Sequence, residues 1–380
     1  MRPIIPEHAR KSDPPTPRRA TDRRRASGPP VPGRPILWSA MDDSAADHLP
    51  GPRGVSVTTD GDRARLHFPG GRLRPADWTA LASLAADHGG AVHTVAGGGL
   101  ELRGIESGPS GDDQQAGDDP TARRLWDRAT DSGLLPPGGP CRLPVVLASP
   151  LAGLLDGHHD LADLPDRLSA ALAGHAGIDA LAGRLLLGLD DGSGDVLAHS
   201  PDLAAVVDST DGTARIHVAG REIAVRVRLD HAAVVLADVA AHLARSAGPA
   251  DVPASGEVHD LVVVALDSHP LTTTGTRDAG ARATSPSTPV ERRLVAAPPT
   301  VGWVDTSDGL VSLLAVVAEG VIPARLAEFL GAVERPGTVS ADGVIGLHGL
   351  TEGMAEQVVR VLAPMGMIFD ATSPWAPGSA

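Results

Sequence analysis

Apolar positions along this chain follow two periods, two residues for strands and about 3.6 for helices, and the order in which they occur is written twice. Between Gly54 and Gly104, Asp60-Gly61 signals a turn, Ala64 to Phe68 reads as a strand, Pro75 opens a helix bearing Trp78, Leu81 and Leu84, and Leu100 to Gly104 closes as a second strand. Between Gly302 and Gly349 the same order returns. Asp308-Gly309 is the turn, Val311 to Val317 the strand, Pro323 opens a helix with Leu326, Phe329, Leu330 and Val333, and Ile345 to Gly349 closes it. The separation from turn glycine to helix-opening proline is identical in both copies. The two stretches are therefore predicted to fold alike.

Between the copies lies a different pattern. An acidic, polar loop from Glu106 to Pro120 precedes a helix with Ala122, Leu125, Trp126 and Ala129 on one face, and Pro136 to Pro140 breaks the chain. An apolar strand follows from Val145 into Ser149-Pro150-Leu151-Ala152-Gly153, then an amphipathic helix from Leu161 to Ala173. Leu185-Leu186-Leu187 followed by Asp190-Asp191-Gly192-Ser193-Gly194-Asp195 reads as a buried strand entering a hairpin turn. Strands Ala214 to Val218 and Arg221 to Val227, a helix His231 to Ala247 and a strand Leu261 to Leu266 complete this middle part. Residues from His269 to Pro299 have no apolar period and read as a linker; helix Glu352 to Leu362 and strand Met367 to Phe369 end the second copy.

Composition narrows the function classes. Five Trp, three Phe and no Tyr leave an aliphatic core. A net charge of -14 argues against a nucleic-acid partner, because a phosphate-binding face needs clustered Lys and Arg. No run reaches the roughly 18 apolar residues of a membrane span, and the first thirty residues have no secretory apolar stretch, so a cytoplasmic location without membrane attachment is expected. Residues 1–40 are proline-rich and basic, with Arg18-Arg19 and Arg23-Arg24-Arg25, and are expected to be disordered, since they bury too little apolar surface to offset ordering entropy. Met41 is an alternative start. The lone Cys141 excludes an internal disulfide and any site needing several thiolates from this chain.

Several local motifs carry a resemblance. Phe68-Pro69-Gly70-Gly71-Arg72-Leu73 is similar to an "LPGG" turn, Leu147-Ala148-Ser149-Pro150-Leu151-Ala152-Gly153 to "ASPLAG", and Leu189 to Val196 to "LDDGRGDV". Val301-Gly302-Trp303, Pro323 to Leu330, Val361 to Gly366, and Phe369-Asp370 with Ser373-Pro374-Trp375 resemble the later half of the same family. That family is the siroheme-dependent sulfite and nitrite reductases with their relative, precorrin-3B synthase of cobalamin biosynthesis, and the synthase branch is the better match. The resemblance implies an α+β fold: two ferredoxin-like half-domains related by a pseudo-twofold (50–106 and 300–375), with an α/β segment (120–268) and a linker (269–299) between them. It also implies an oxidoreductase acting on a tetrapyrrole with a four-iron cluster (siroheme in the reductases), which asks for four thiolates and for cations facing many carboxylates.

The chain departs from that pattern where the chemistry would be. In the family the segment after "SPW" continues into a "CTGxxGC"-like motif and a second cysteine pair, whereas Ala376-Pro377-Gly378-Ser379-Ala380 follows here, through gene decay or a shifted reading frame. No four-iron cluster is expected from this chain alone, which leaves a cluster-bearing paralogue as a candidate partner and a tetrapyrrole as a candidate ligand. The family's arginine and asparagine positions fall on Gly97, Gly99, Pro144, Val145 and Gly343. Two cations remain at matching places, Arg184 and Arg103, each a candidate ligand-binding residue or an ordinary solvated arginine. The resemblance thus implies either a synthase-like oxidoreductase with a degenerate cluster site or a non-catalytic binding or partner subunit.

Other constellations carry less. Adjacent His158-His159 side chains diverge, so with Asp160 they read as a polar loop and not a metal site. Gly97-Gly98-Gly99 precedes a strand and lacks the strand-loop-helix setting of a phosphate cradle, and the carboxylates of Asp190, Asp191 and Asp195 lack the spacing of a calcium loop. No metal ligand set is expected. Since the first forty residues are expected to pack on nothing, a chain lacking residues 1–40 should melt at the same temperature as the full chain in thermal unfolding. A drop of several degrees would show that this segment is docked.

Overall fold

The computed structural model describes residues 47–49, 55–60, 62–105, 120–135, 142–161, 163–208, 212–246, 261–266, 269–274 and 301–378. The segment 1–40, Cys141 and residues 275–299 lie outside the described residues. Three six-stranded paths account for the architecture. The first sheet has the order β1-β2-β3-β6-β5-β15, built from β1 Asp47–Leu49, β2 Ser56–Asp60, β3 Arg63–His67, β5 Ala91–Val95 and β6 Gly99–Arg103, and closed by β15 Val321–Pro323. The second has the order β13-β14-β17-β16-β4, from β13 Gly302–Asp305, β14 Val311–Val317, β16 Gly337–Val339 and β17 Ile345–Leu350, closed by β4 Arg72–Leu73, with β18 Met367–Ile368 on β14.

These two sheets are the two repeats, and each is completed by a short strand of the other. β4 pairs antiparallel with β16 (Thr338 opposite Arg72), and β15 pairs antiparallel with β5 (Ile322 opposite Val92). The turn that feeds each short strand has the same form: Pro69–Gly71 with Gly70 at φ 61, and Ala318–Gly320 with Glu319 at φ 55. Glycine at the last place of each turn has a steric reason. A Cβ on Gly71 would lie 2.0 Å from the Val339 carbonyl oxygen, and one on Gly320 would lie 2.5 Å from Thr94 Oγ1. Both backbones approach closer than any side chain allows.

Helices α1 Pro75–Asp87 and α6 Ala324–Ala332 pack against each other across the pseudo-twofold. Gly331 lets them meet, since a Cβ there would be 2.5 Å from Thr79 Oγ1. The start of α1 is fixed by Pro75 at its first position and by Asp77, whose Oδ2 accepts the Arg74 N–H at 2.7 Å. One aliphatic core runs through both halves, with Trp78, Leu81, Leu84, Leu100 and Leu102 from the first and Leu313, Leu326, Leu330, Ile345 and Leu347 from the second. Helix α2 Pro120–Asp131 adds Leu125, Trp126 and Ala129 to this same core, so it belongs with the first half and not with the α/β segment into which sequence reading places it.

The third sheet has the order β12-β11-β10-β9-β8-β7. β7 Val145–Ala148, β8 Leu186–Asp190 and β9 Leu203–Asp208 are parallel; β10 Thr213–Val218, β11 Arg221–Arg228 and β12 Thr272–Thr274 continue antiparallel. Helices α3 Leu164–Ala173 and α4 Leu229–Ser246 bury Leu164, Leu168, Val235, Leu236 and Val239 in the core of this unit. The β10–β11 hairpin turns at Ala219 and Gly220, both at positive φ, as a two-residue hairpin of this twist requires. Helix α7 Glu352–Leu362 lies against β14 and β17, capped by the Thr351 side chain.

Three further expectations are corrected. Residues 261–266 form a short helix α5 and no strand, because Val262 and Leu266 are buried four residues apart while Val264 is exposed; an apolar run this short does not distinguish the two by its pattern. The stretch after Asp190 is a crossover between parallel strands, not a hairpin. Residues 272–274, within the expected linker, form β12 and pair with β11. No helix among the described residues is long and apolar enough to cross a membrane.

The exchange of β4 and β15 gives a sharp stability test. Gly71 and Gly90 both sit at positive φ (67 and 76), yet a Cβ on Gly90 meets nothing within 4 Å. Gly90→Ala is expected to cost about 1 kcal/mol of backbone strain and Gly71→Ala roughly 3 kcal/mol or more, measured by denaturant unfolding. Equal losses would show that the approach of Gly71 to Val339 carries no weight.

Candidate functional site

The three sheets meet where β4 leaves its glycine turn, and two cavities open there. The larger, about 580 Å³, lies between Phe68, Pro69 and Arg72 to Arg74 of the first half, Pro336 to Thr338 and His348 of the second, and Ala148 to Pro150, Ala152 to Leu154, Asp160, Pro165 and Asp166 of the third unit. The smaller, about 300 Å³, is lined by Gly70, Gly71, Gly98, Leu147, Asp195, Val196, His199 and Val339 to Asp342. Ala148 and Pro150 face both, and Gly70 seals the partition: a Cβ there would be 2.8 Å from Ala148 Cβ and 3.1 Å from Pro165. The carboxyl end of parallel strand β7 thus opens on both cavities, the usual place for a ligand in an α/β sheet.

Each polar group in the larger cavity is positioned by the fold. Arg72 is set by β4 opposite Thr338, and alternation buries Leu73 while Arg72 and Arg74 face outward. The Arg74 guanidinium binds Asp77 Oδ1 at 2.8 Å. Burial raises the Asp77 carboxyl above its ordinary range, with Arg74 pulling the other way. Burial likewise raises Asp166, with Arg72 the leading opposing charge. His348 is buried, with Nε2 2.8 Å from Thr338 Oγ1 and Nδ1 3.0 Å from Ser312 Oγ. Burial, helped by the charge of Arg72, pushes this imidazole down to about 4, so it is neutral and shares hydrogen bonds with two hydroxyls.

The crossover after β8 is organised by carboxylates. Asp190 accepts N–H bonds from Gly192 and Gly194 on Oδ1 and from Val196 and Leu197 on Oδ2, at 2.9 to 3.2 Å. Asp191 accepts the Ser193 N–H at 3.0 Å and lies 2.9 Å from His158 Nδ1. Ser149 Oγ, just past β7, accepts the Asp191 N–H at 3.1 Å and donates to Asp195 at 2.5 Å. Carboxylate oxygens of Asp190, Asp191 and Asp195 come within 4.8 Å of one another. Four N–H donors on Asp190 make this a loop-ordering device, which is why the chain turns here without forming a hairpin.

The two arginines singled out from the sequence are elsewhere. Arg184 is exposed in the turn before β8, and Arg103 ends β6 on Glu101 at 2.6 Å; neither lines either of these two cavities. Buried Glu101 also holds Arg65 at 2.7 Å, and although burial alone would raise it, the two guanidiniums keep its carboxyl below the usual range. The positions where the resemblance would put cations hold backbone contacts and apolar packing instead. The Gly97 N–H donates to the Ala341 carbonyl at 3.1 Å, a Cβ on Gly343 would lie 3.1 Å from Thr94 Oγ1, and Val145 is buried with Leu147, Leu186 and Val196. Arg72, Arg74, Thr338 and His348 were not picked out from sequence; the alternation Arg72-Leu73-Arg74 after a double glycine was the available signal.

No protein-family model matches the chain. No curated protein matches it. Among solved structures it is similar to the Mycobacterium tuberculosis NirA protein, with a TM-score of 0.59 and 14% identity over 81% of this chain and 57% of that one. The fold is nitrite/sulfite reductase-like. At that identity the likeness carries the α+β architecture with its two ferredoxin-like halves and nothing finer, and this chain spans just over half of the longer one.

Asp195 offers a titration that reports on this site. Burial, with Asp190 and Asp191 adding to it and the Ser149 hydroxyl opposing, pushes its carboxyl up to about 6. A folded value above the unfolded one means the contribution is present in full below about pH 4 and is lost as pH rises towards about 6. Between about pH 4 and pH 7, wild type is expected to lose on the order of 2 kcal/mol of unfolding free energy relative to Asp195→Asn. A difference that does not change with pH would refute the burial of this group.

Proposed function

We propose that this chain descends from the precorrin-3B synthase branch and serves as a binding or partner subunit with no iron–sulfur centre of its own. The observation that carries the reading is the closure of two turns upon the opposite half. Gly97 donates its N–H to the Ala341 carbonyl, and Gly343 leaves little room for a Cβ beside Thr94, at places where the resembling family carries arginine. Those places are held here by glycines at positive φ in turns where the two halves meet.

The donor set agrees. A four-iron cluster asks for thiolates. The residues lining the two cavities offer carboxylates, hydroxyls and imidazoles, with no sulfur among them, and the sequence has a single cysteine. The group the fold implies therefore does not fit the residues present, and no redox step is derived through it. The retained "LPGG"- and "ASPLAG"-like turns support the ancestry: Gly70, Gly71 and Ala148 to Pro150 form the partition between the cavities. Oxidoreductase activity of cobalamin synthesis would require a cluster-bearing paralogue to supply the metal centre.

The experiment is anaerobic reconstitution of the purified chain with iron and sulfide, followed by gel filtration. A colourless protein is expected, without visible charge-transfer absorption. A stable brown protein with stoichiometric acid-labile sulfide would overturn the reading.

A further inference from the structure

A tetrapyrrole of the early cobalamin type presents many carboxylates, and a site for it needs cations that the protein leaves available. The junction has the opposite balance. Around the smaller cavity the titratable groups are Asp195, Asp342 and His199, and neither Lys nor Arg lines it. His199 Nε2 is already 3.4 Å from Asp342 Oδ2. Behind Asp195 stand Asp190 and Asp191, close enough to raise its carboxyl. Another carboxylate brought here would meet the same repulsion.

In the larger cavity Arg72 and Arg74 are outnumbered by Asp77, Asp160 and Asp166. Arg74 is held by Asp77 through two nitrogens, at 2.8 and 3.2 Å. Arg72 is the leading positive charge at Asp166, and burial, with Arg72 adding to it, leaves the His348 imidazole neutral. Arg74 is thus neutralised by Asp77, and Arg72 stands in the field of Asp166. Of the backbone N–H groups on the wall of the smaller cavity, that of Val196 is already given to Asp190 and that of Gly71 to the Phe68 carbonyl.

We infer that the junction has exchanged a polyanion-binding surface for a carboxylate-lined one, and that this chain takes no polycarboxylate tetrapyrrole there. The inference rests on the proposed ancestry, which is what makes such a ligand the expected one. It concerns charge at the cavities alone and is independent of whether a cluster is present.

The test titrates the full chain with uroporphyrin, an octacarboxylate, by fluorescence at about 50 mM salt, where attraction between charges is least screened. The expected isotherm is unchanged in Arg72→Gln: either no saturable binding, or binding at the arginine-rich stretch 18–25, which that substitution does not touch. Asp342→Arg, in a partly exposed turn, is expected to raise uroporphyrin affinity at least about tenfold, since it replaces repulsion by an arginine–carboxylate contact. Saturable wild-type binding that falls about tenfold or more in Arg72→Gln overturns the inference, and so does an Asp342→Arg chain that folds like wild type and gains nothing. Uroporphyrin binding at Arg72 in a colourless protein would sink this inference alone; a brown protein without such binding would sink only the cluster-free reading.

Discussion

The structure depends on one reciprocal constraint: the two halves finish each other's sheets. β4 and β15 are too short to stand alone, and each reaches its partner strand through a turn whose glycine touches the partner's β-strand. Everything at the junction follows from that geometry. The turn that delivers β4 also places Gly70 on Ala148, which divides the space between the sheets, and it sets Arg72 opposite Thr338. The site is therefore a by-product of how the halves interlock, and its side chains are positioned by backbone pairing more than by loops.

The carboxylates form a second layer of organisation. Asp190 accepts four N–H groups and so orders a crossover that joins parallel strands through one short 3-10 turn, Leu197–His199. Asp77 does similar work at the start of α1, and Glu101 ties two arginines on β3 and β6. These acids are buried because the fold gives each of them donors. Asp195 is pushed up to about 6 by burial and like charge, and it lies on the wall of a cavity. Sites of this sort arise where order in the backbone is obtained with charge, and the surplus faces the open space.

Much of the fold was legible because duplication makes the sequence its own comparison. The shared turn-to-proline spacing predicted paired halves, and the order of strands within each sheet is the same. What could not be read was anything decided by tertiary pairing. Arg72-Leu73 and Val321 to Pro323 carry no strand signal of their own, since two or three residues have no period; they are strands because another half supplies the edge. Leu261 to Leu266 looks like a strand by composition, and packing of Val262 and Leu266 on one side decides otherwise. The candidate site suffered for the same reason. Arg103 and Arg184 were chosen for their place in linear motifs, while Arg72 and His348 converge only after β4 crosses to β16.

The exchange of short strands also sets an order of events during synthesis. β4 is translated with the first half, but its partner β16 begins at Gly337, 265 residues after Arg72 (337 − 72). At about 5 to 20 residues per second the ribosome takes roughly 15 to 50 s to deliver that partner. Through that interval the first sheet lacks β15, and its β5 edge is unpaired on one side. Neither half completes its own sheet, so β4 has no partner strand until the second half has been made.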